Sequence, residues 1–143
     1  MEPDDAARIL PRMEADGGLV ALRAAMAGED DWRRVLDLLK ASAAMVDFSV
    51  DDLPRPLPPA ILPLFDEARR APVLLSCRVS GILYNLRFGD PALLALEIDA
   101  REVDARRVED FARFWRKLGD LLGRPVSLLD LAYDPREKRF VAP

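Results

Sequence analysis

Few residues of this 143-residue chain have side chains suited to chemistry: there is one cysteine, Cys77, and no histidine. A nucleophilic cysteine needs a nearby base or a positive field to form its thiolate. Cys–His and Ser–His–Asp catalysis are therefore excluded, and a transition-metal site is not expected because its preferred ligands are missing. Glycine-rich phosphate-binding motifs are also absent from the sequence. We therefore expect no cofactor.

Carboxylates and arginines are the remaining candidates. Acidic residues cluster at 4–5, 29–31, 47–52 and 99–104. None of these clusters has the calcium-loop spacing with its central glycine. Acids at helix starts and in solvated turns are common, because they suit the positive end of the helix dipole. A small-ligand site or a carboxylate/arginine-based enzyme would need acids with raised pKa in a pocket, and this is our alternative hypothesis.

The composition restricts the class of partner and the compartment. The net charge of −4 disfavours binding to nucleic acid or anionic membranes and favours a basic protein partner. The sequence has no run of the roughly 18–20 apolar residues that a membrane span needs. A single cysteine and an acidic N-terminus without a signal sequence predict a cytoplasmic protein. All but three of the 21 basic residues are arginine, which is typical of a GC-rich bacterial gene.

The order of helical and strand patterns along the sequence predicts an α+β fold in a single domain, 1–143. These helices and strands must position the candidate side chains. N-terminal helices, including one over 19–28 and one over 29–46, precede an antiparallel sheet in the order β-β-β-α-β-β. The long helix, about 105–122, has an apolar stripe that packs on one sheet face. The domain divides into a helical part, a proline-rich connector and an α+β part, at 1–53, 54–63 and 64–143.

Period-two alternation over residues 73–99 predicts three strands with one buried face. A two-residue loop at Ser80–Gly81 pairs Cys77 with Tyr84 on that face, so Cys77 is expected to be a core residue. A five-residue connection then aligns Leu86 with Leu96. The opposite face carries the polar side chains of all three strands.

This opposite face holds the strongest binding candidates, because planar arginine groups suit carboxylates and protein hot spots. The acidic loop 47–52 is a second docking element, and an aromatic residue off the main stripe of the long helix is expected to be exposed. The partner-binding candidates are Arg78, Asn85, Arg87, Glu97, Asp47, Asp51, Asp52 and Phe114.

In size, acidity and order of elements the chain is loosely similar to small acidic bacterial binding proteins, such as toxin-neutralising immunity proteins and type III secretion chaperones. The similarity covers no motif and carries over no functional residue. Our leading hypothesis is a non-enzymatic cytoplasmic protein-binding module: an adaptor, an inhibitor, or an immunity-type or secretion-chaperone-like protein. A further hypothesis is a subunit of a homo-oligomeric assembly, such as a homodimer joined through the sheet edge.

Overall fold

The structure is a computed structural model that describes the backbone of residues 3–142 and the side chains of residues 5–142. Its helices are α1 (Pro3–Asp16), α2 (Glu29–Ser42), α3 (Leu62–Glu67) and α4 (Val108–Leu122), and a 3-10 turn spans Ala100–Glu102. Its strands are β1 (Leu19–Ala25), β2 (Val46–Val50), β3 (Leu53–Pro54), β4 (Val73–Val79), β5 (Ile82–Arg87), β6 (Leu93–Asp99), β7 (Val126–Leu128), β8 (Leu131–Asp134) and β9 (Arg139–Val141). No helix within the described range is both long and apolar enough to cross a bilayer.

The strands form one antiparallel sheet in the order β3-β2-β4-β5-β6-β1-β7-β8-β9. The helices pack on one face of this sheet, which we call the inner face, and together they enclose one core. Trp32 of α2, Leu96 of β6 and Trp115 of α4 are almost completely buried in that core. The predicted α+β class, with the long helix on one sheet face, is confirmed.

Strand β1 corrects the prediction of a helix over residues 19–28. Its side chains alternate between buried and exposed positions, and Val20 and Leu22 are buried on the inner face. Seven consecutive pairs join β1 to β6 on one side, and β7 pairs with it on the other. Alanine and leucine favour a helix intrinsically, but burial between two strands outweighs that weak preference. The N-terminal part, 1–53, therefore supplies a central strand of the sheet and is not purely helical.

Helix α2 is shorter than predicted. Its apolar stripe suggested a helix as far as Val46, but α2 ends at Ser42 and Val46 begins β2. The backbone of Ala43 is already extended, with φ −115° and ψ 145°. This early end lets β2 pair with β4 and extend the sheet beyond the predicted hairpin.

The register of β4, β5 and β6 agrees with the sequence prediction. Cys77 pairs with Tyr84 across a two-residue turn at Ser80–Gly81. Both turn residues have positive φ, 52° and 82°, as a type I′ turn requires. Leu86 pairs with Leu96, which confirms the five-residue connection between β5 and β6. Because side chains alternate along a strand, this register sends the polar residues of all three strands to the face without helices.

The C-terminal segment forms three strands where two were predicted. Helix α4 ends as predicted at Leu122, where Gly123 caps it with the left-handed φ of 67°. Strands β7 and β8 are separated by a turn at Leu129–Asp130, so that Leu128 pairs with Leu131 and both remain buried. Asp130 lies in this turn and is exposed, so it does not face the core.

Both edge strands are short and protected against strand addition. Strand β3 is two residues long, ends at Pro54 and continues into the proline-rich connector. At the opposite edge, the carbonyls of Lys138 and Phe140 accept hydrogen bonds from Arg116 and Arg8. Prolines and occupied carbonyl groups oppose pairing with the edge strand of another chain.

Candidate interaction surface on the outer sheet face

The outer face is the side of strands β2, β4, β5, β6 and β1 that points away from the helices. One row of side chains crosses all five strands, because Asp47, Ser76, Asn85, Glu97 and Ala21 pair successively with one another. All five side chains are half-buried or exposed. The helices of the described range pack on the other side of the sheet, so the outer face is open to a partner.

Two predicted arginines stand on this face at opposite ends of the β4–β5 hairpin and are held in ion pairs. Arg87 Nε lies 2.7 Å from Glu97 Oε1, and Arg78 donates to Glu102 Oε2 at 3.2 Å. The side chains of Arg87 and Arg78 are 58% and 61% exposed. Ion pairs with this much access to water contribute only about 0–1 kcal/mol. Both guanidinium groups can therefore exchange their carboxylate for one on a partner at little cost.

Apolar side chains stand between these charges. Leu74 and Leu83 are half-buried on the outer face, and Leu19 of β1 is 70% exposed. Leu19 was missing from the predicted site because its segment was assigned to a helix. A patch that mixes arginine with apolar side chains has the composition of many protein–protein interfaces.

Two charges at opposite sides of the outer face have no ionic partner within 4.0 Å among residues 5–142: Asp47 on β2 and Arg23 on β1. Both side chains are exposed. A charge that is compensated only by water is available to an opposite charge on a partner. The outer face therefore presents a negative group at one side and a positive group at the other.

The acidic segment 47–52 is not the single loop that the sequence suggested. Asp47 lies on β2 and faces outward, whereas Asp51 and Asp52 form the two-residue turn between β2 and β3. Their φ values of 53° and 63° identify the turn as type I′, in which aspartate is favoured. The structure therefore places only Asp47 on the outer face and the other two acids at one end of the same strand.

Phe114 was expected to be exposed, and this prediction is wrong. Its side chain is 4% exposed, and its ring centroid lies 4.5 Å from that of Tyr84. It forms the floor of a groove of about 310 Å³ between α2 and α4. The apolar face of α4 is wider than the predicted stripe, because Tyr84 of β5 packs against Phe114.

Cys77 is a core residue, as its register predicted. It is 3% exposed, and burial raises the pKa of its thiol to about 11. Burial likewise raises the pKa of its partner Tyr84. A thiol with a raised pKa remains protonated and weakly nucleophilic at neutral pH.

Glu102, in the 3-10 turn after β6, secures one corner of the outer face. Its Oε1 accepts a hydrogen bond from the backbone N–H of Leu83 at 3.1 Å, and its Oε2 binds Arg78. Glu102 thus supplies an acceptor for Leu83, which lies outside the two paired positions of β5 and β6. Sequence spacing offered no signal for this role, because 19 residues separate the acceptor from its donor.

Removing this carboxylate tests its structural role. We expect Glu102→Ala to lower the free energy of unfolding by about 1–2 kcal/mol, because it leaves the half-buried N–H of Leu83 without a protein acceptor. Urea unfolding at pH 7 measures the change. Arg78→Ala removes the exposed ion pair and a long contact with the carbonyl of Gly81, and it should cost less than about 1 kcal/mol. Equal losses in the two variants would contradict a role for the backbone hydrogen bond.

No group of three or more histidine, cysteine, aspartate or glutamate side chains in the described range is arranged to hold a metal ion. Arg101 beside Asp99 and Arg12 beside Asp130 hold the pKa of those two carboxyls below the ordinary value. A general acid at neutral pH needs the opposite shift.

Comparison of the chain with protein-family models, with curated proteins and with solved structures finds no match.

Proposed function

We propose that this chain is a non-enzymatic protein-binding module of the bacterial cytoplasm that docks a partner protein on its outer sheet face. The observation that carries the proposal is the open outer face itself: the described helices leave it uncovered, while the side chains of Arg78 and Arg87 are more than half exposed. A role as an adaptor, an inhibitor or an immunity-type protein fits such a surface.

The side chains of this face support protein recognition. Arginine is enriched among interface residues that contribute most to binding, especially where apolar neighbours exclude water. Arg78 lies beside Leu83, its pairing partner on β5, and Arg87 pairs with Leu74 on β4. Each guanidinium therefore has an apolar neighbour, over which a partner could exclude water from a new ion pair.

The short edge strands favour binding through the outer face and disfavour binding by strand addition. An edge-to-edge homodimer would need a long unpaired strand, but β3 and β9 are two and three residues long. The net charge of −4 and the uncompensated Asp47 favour a partner with a basic surface, which electrostatic attraction would bring to this chain faster.

Paired arginine substitutions test this proposal. The tagged chain, expressed at its native level, is captured with its partner and compared with Arg78→Ala/Arg87→Ala. We expect this variant to retain about tenfold less partner, because two exposed arginines of the outer face are lost. The matched control is Arg69→Ala/Arg70→Ala, which removes the same charge from two exposed positions after α3 and should retain the partner fully.

Thermal unfolding checks that both variants fold, since each should melt within a few degrees of the parent chain. The absence of any partner at native expression would count heavily against the proposed function. Equal retention by the two variants would show that the outer face does not dock the partner.

A further inference from the structure

The outer face contains a concave site at the corner where β2 begins. This corner hollow has a volume of about 260 Å³ and is lined by Ala44, Met45, Asp47, Cys77, Arg78 and Leu83. Three of these residues belong to the outer face, so the hollow is continuous with the proposed docking surface. It lies where β4 extends past the first residue of β2, because Val46 pairs with Cys77 and no strand residue precedes it.

The lining of the corner hollow includes apolar side chains. Met45 is 72% exposed, the highest value among the large apolar side chains of the described range. A methionine side chain is flexible and polarisable, and it adapts to apolar groups of different shape. Leu83 also lines the hollow and is half-buried. Interfaces commonly anchor on one bulky side chain that fills such a pocket.

The rim of the hollow carries two charges, of which one is already compensated. Arg78 donates to Glu102 at 3.2 Å and to the carbonyl of Gly81 at 3.4 Å. Asp47, which also lines the hollow, is exposed and has no cation within 4.0 Å among residues 5–142. The uncompensated charge at the rim is therefore negative, and it is complementary to a lysine or arginine on the occupant.

We infer that the partner inserts one bulky apolar side chain into the corner hollow and places a neighbouring lysine or arginine on Asp47. This inference rests on the proposed function, and it adds the chemistry of the partner: a polypeptide segment with adjacent apolar and basic residues. A small-molecule site normally encloses most of its ligand. The corner hollow instead opens onto a broad polar face, which suits one side chain of a larger partner.

Three capped peptides serve as probes: acetyl-Gly-Leu-Arg-Gly-amide, a version with Gly in place of Leu, and a version with Gln in place of Arg. Each is titrated into the isotope-labelled chain and followed by amide NMR shifts. We expect the Leu-Arg peptide to shift the amides of Met45, Asp47 and Leu83 with millimolar affinity. Each altered peptide should bind at least about fivefold more weakly.

Two variants connect these preferences to their residues. Asp47→Asn should bind the Arg and Gln peptides equally, and Met45→Ser should reduce the advantage of Leu over Gly. Glu109→Gln removes one charge from an exposed position on α4 and is the matched control, which should keep both preferences. The spectrum of each free variant shows whether it is folded.

The inference is overturned if no peptide binds at about 5 mM, a concentration at which a millimolar complex would be populated. It is also overturned if the three peptides bind alike, or if the shifted amides lie away from the hollow. Its failure is separable from that of the proposed function. If Arg78→Ala/Arg87→Ala loses the native partner while Asp47→Asn and Met45→Ser retain it, the docking face stands and the anchor is wrong.

Discussion

Trp115→Ala is expected to lower the free energy of unfolding by about 3–5 kcal/mol, the largest effect of any substitution considered. Trp115 is completely buried at the centre of α4. Its ring centroid lies 4.7 Å from that of Phe140 and 5.8 Å from that of Phe111. The truncation removes this apolar contact area and leaves a cavity between α4 and the C-terminal strands, which the surrounding backbone fills only in part.

The Trp115 side chain also makes a hydrogen bond. A second variant distinguishes the contribution of this hydrogen bond to stability from the contribution of packing. The indole N–H donates to the carbonyl of Val126 at 2.7 Å. Trp115→Phe keeps most of the apolar volume but leaves that carbonyl without its donor, at a cost of about 1–3 kcal/mol. Chemical unfolding followed by far-ultraviolet circular dichroism measures both losses. A loss below about 1 kcal/mol for Trp115→Ala would contradict the described core.

Asp31→Ala is expected to cost about 3 kcal/mol, because it removes a buried carboxylate that joins three parts of the chain. Asp31 is 3% exposed and accepts hydrogen bonds from the backbone N–H of Ala27 at 2.7 Å and from Arg124 at 2.6 Å. Arg34 adds a longer contact at 3.2 Å. Hydrogen bonds to charged groups contribute roughly 1.5–3 kcal/mol each, and Arg124 recovers part of its loss from water.

The pH dependence identifies the ionised form of Asp31 as the stabilising one. Burial raises its pKa, but the Ala27 N–H and the two arginines outweigh that effect and bring the pKa below the ordinary 3.8. A lowered pKa in the folded state stabilises the protein above the unfolded-state pKa, and the contribution is lost as the pH falls through the folded-state value. The difference between the parent chain and Asp31→Ala should therefore stay constant above about pH 5 and shrink below about pH 4.

Asp30→Ala is the control for this experiment. Asp30 is the adjacent acid in the same first turn of α2, but it is exposed. Its loss should cost less than about 1 kcal/mol, because only the interaction with the helix dipole is removed. Similar costs for Asp30→Ala and Asp31→Ala would show that the buried contacts of Asp31 contribute little.

The sequence predicts the outer face better than it predicts the rest of the fold. A two-residue turn between alternating segments determines which residues pair, so the positions of Asn85, Arg87 and Glu97 followed from local rules alone. Strand β1 was missed because its alanine-rich sequence favours a helix, and only pairing with distant strands outweighs that preference. This omission also removed Leu19 and Arg23 from the predicted surface.

The remaining errors have the same origin in long-range packing. Phe114 lies off the predicted stripe of α4, but its ring is buried because β5 brings Tyr84 beneath it. The role of Glu102 could not be predicted from its neighbours in sequence. Its hydrogen-bond partners belong to the hairpin that precedes it by about 20 residues. Both positions depend on how α4 and the 3-10 turn are placed against the sheet.

The central position of β1 has a consequence for the synthesis of the chain. Leu19 pairs with Asp99, and Arg23 pairs with Ser127, so β1 has neither neighbour until most of the protein has left the ribosome. At about 5–20 residues per second, the roughly 100 residues that separate β1 from β7 take on the order of 5–20 s to translate. During that interval the apolar residues of β1 lack the neighbouring strands that bury them. Contacts between such distant segments form slowly even in the complete chain.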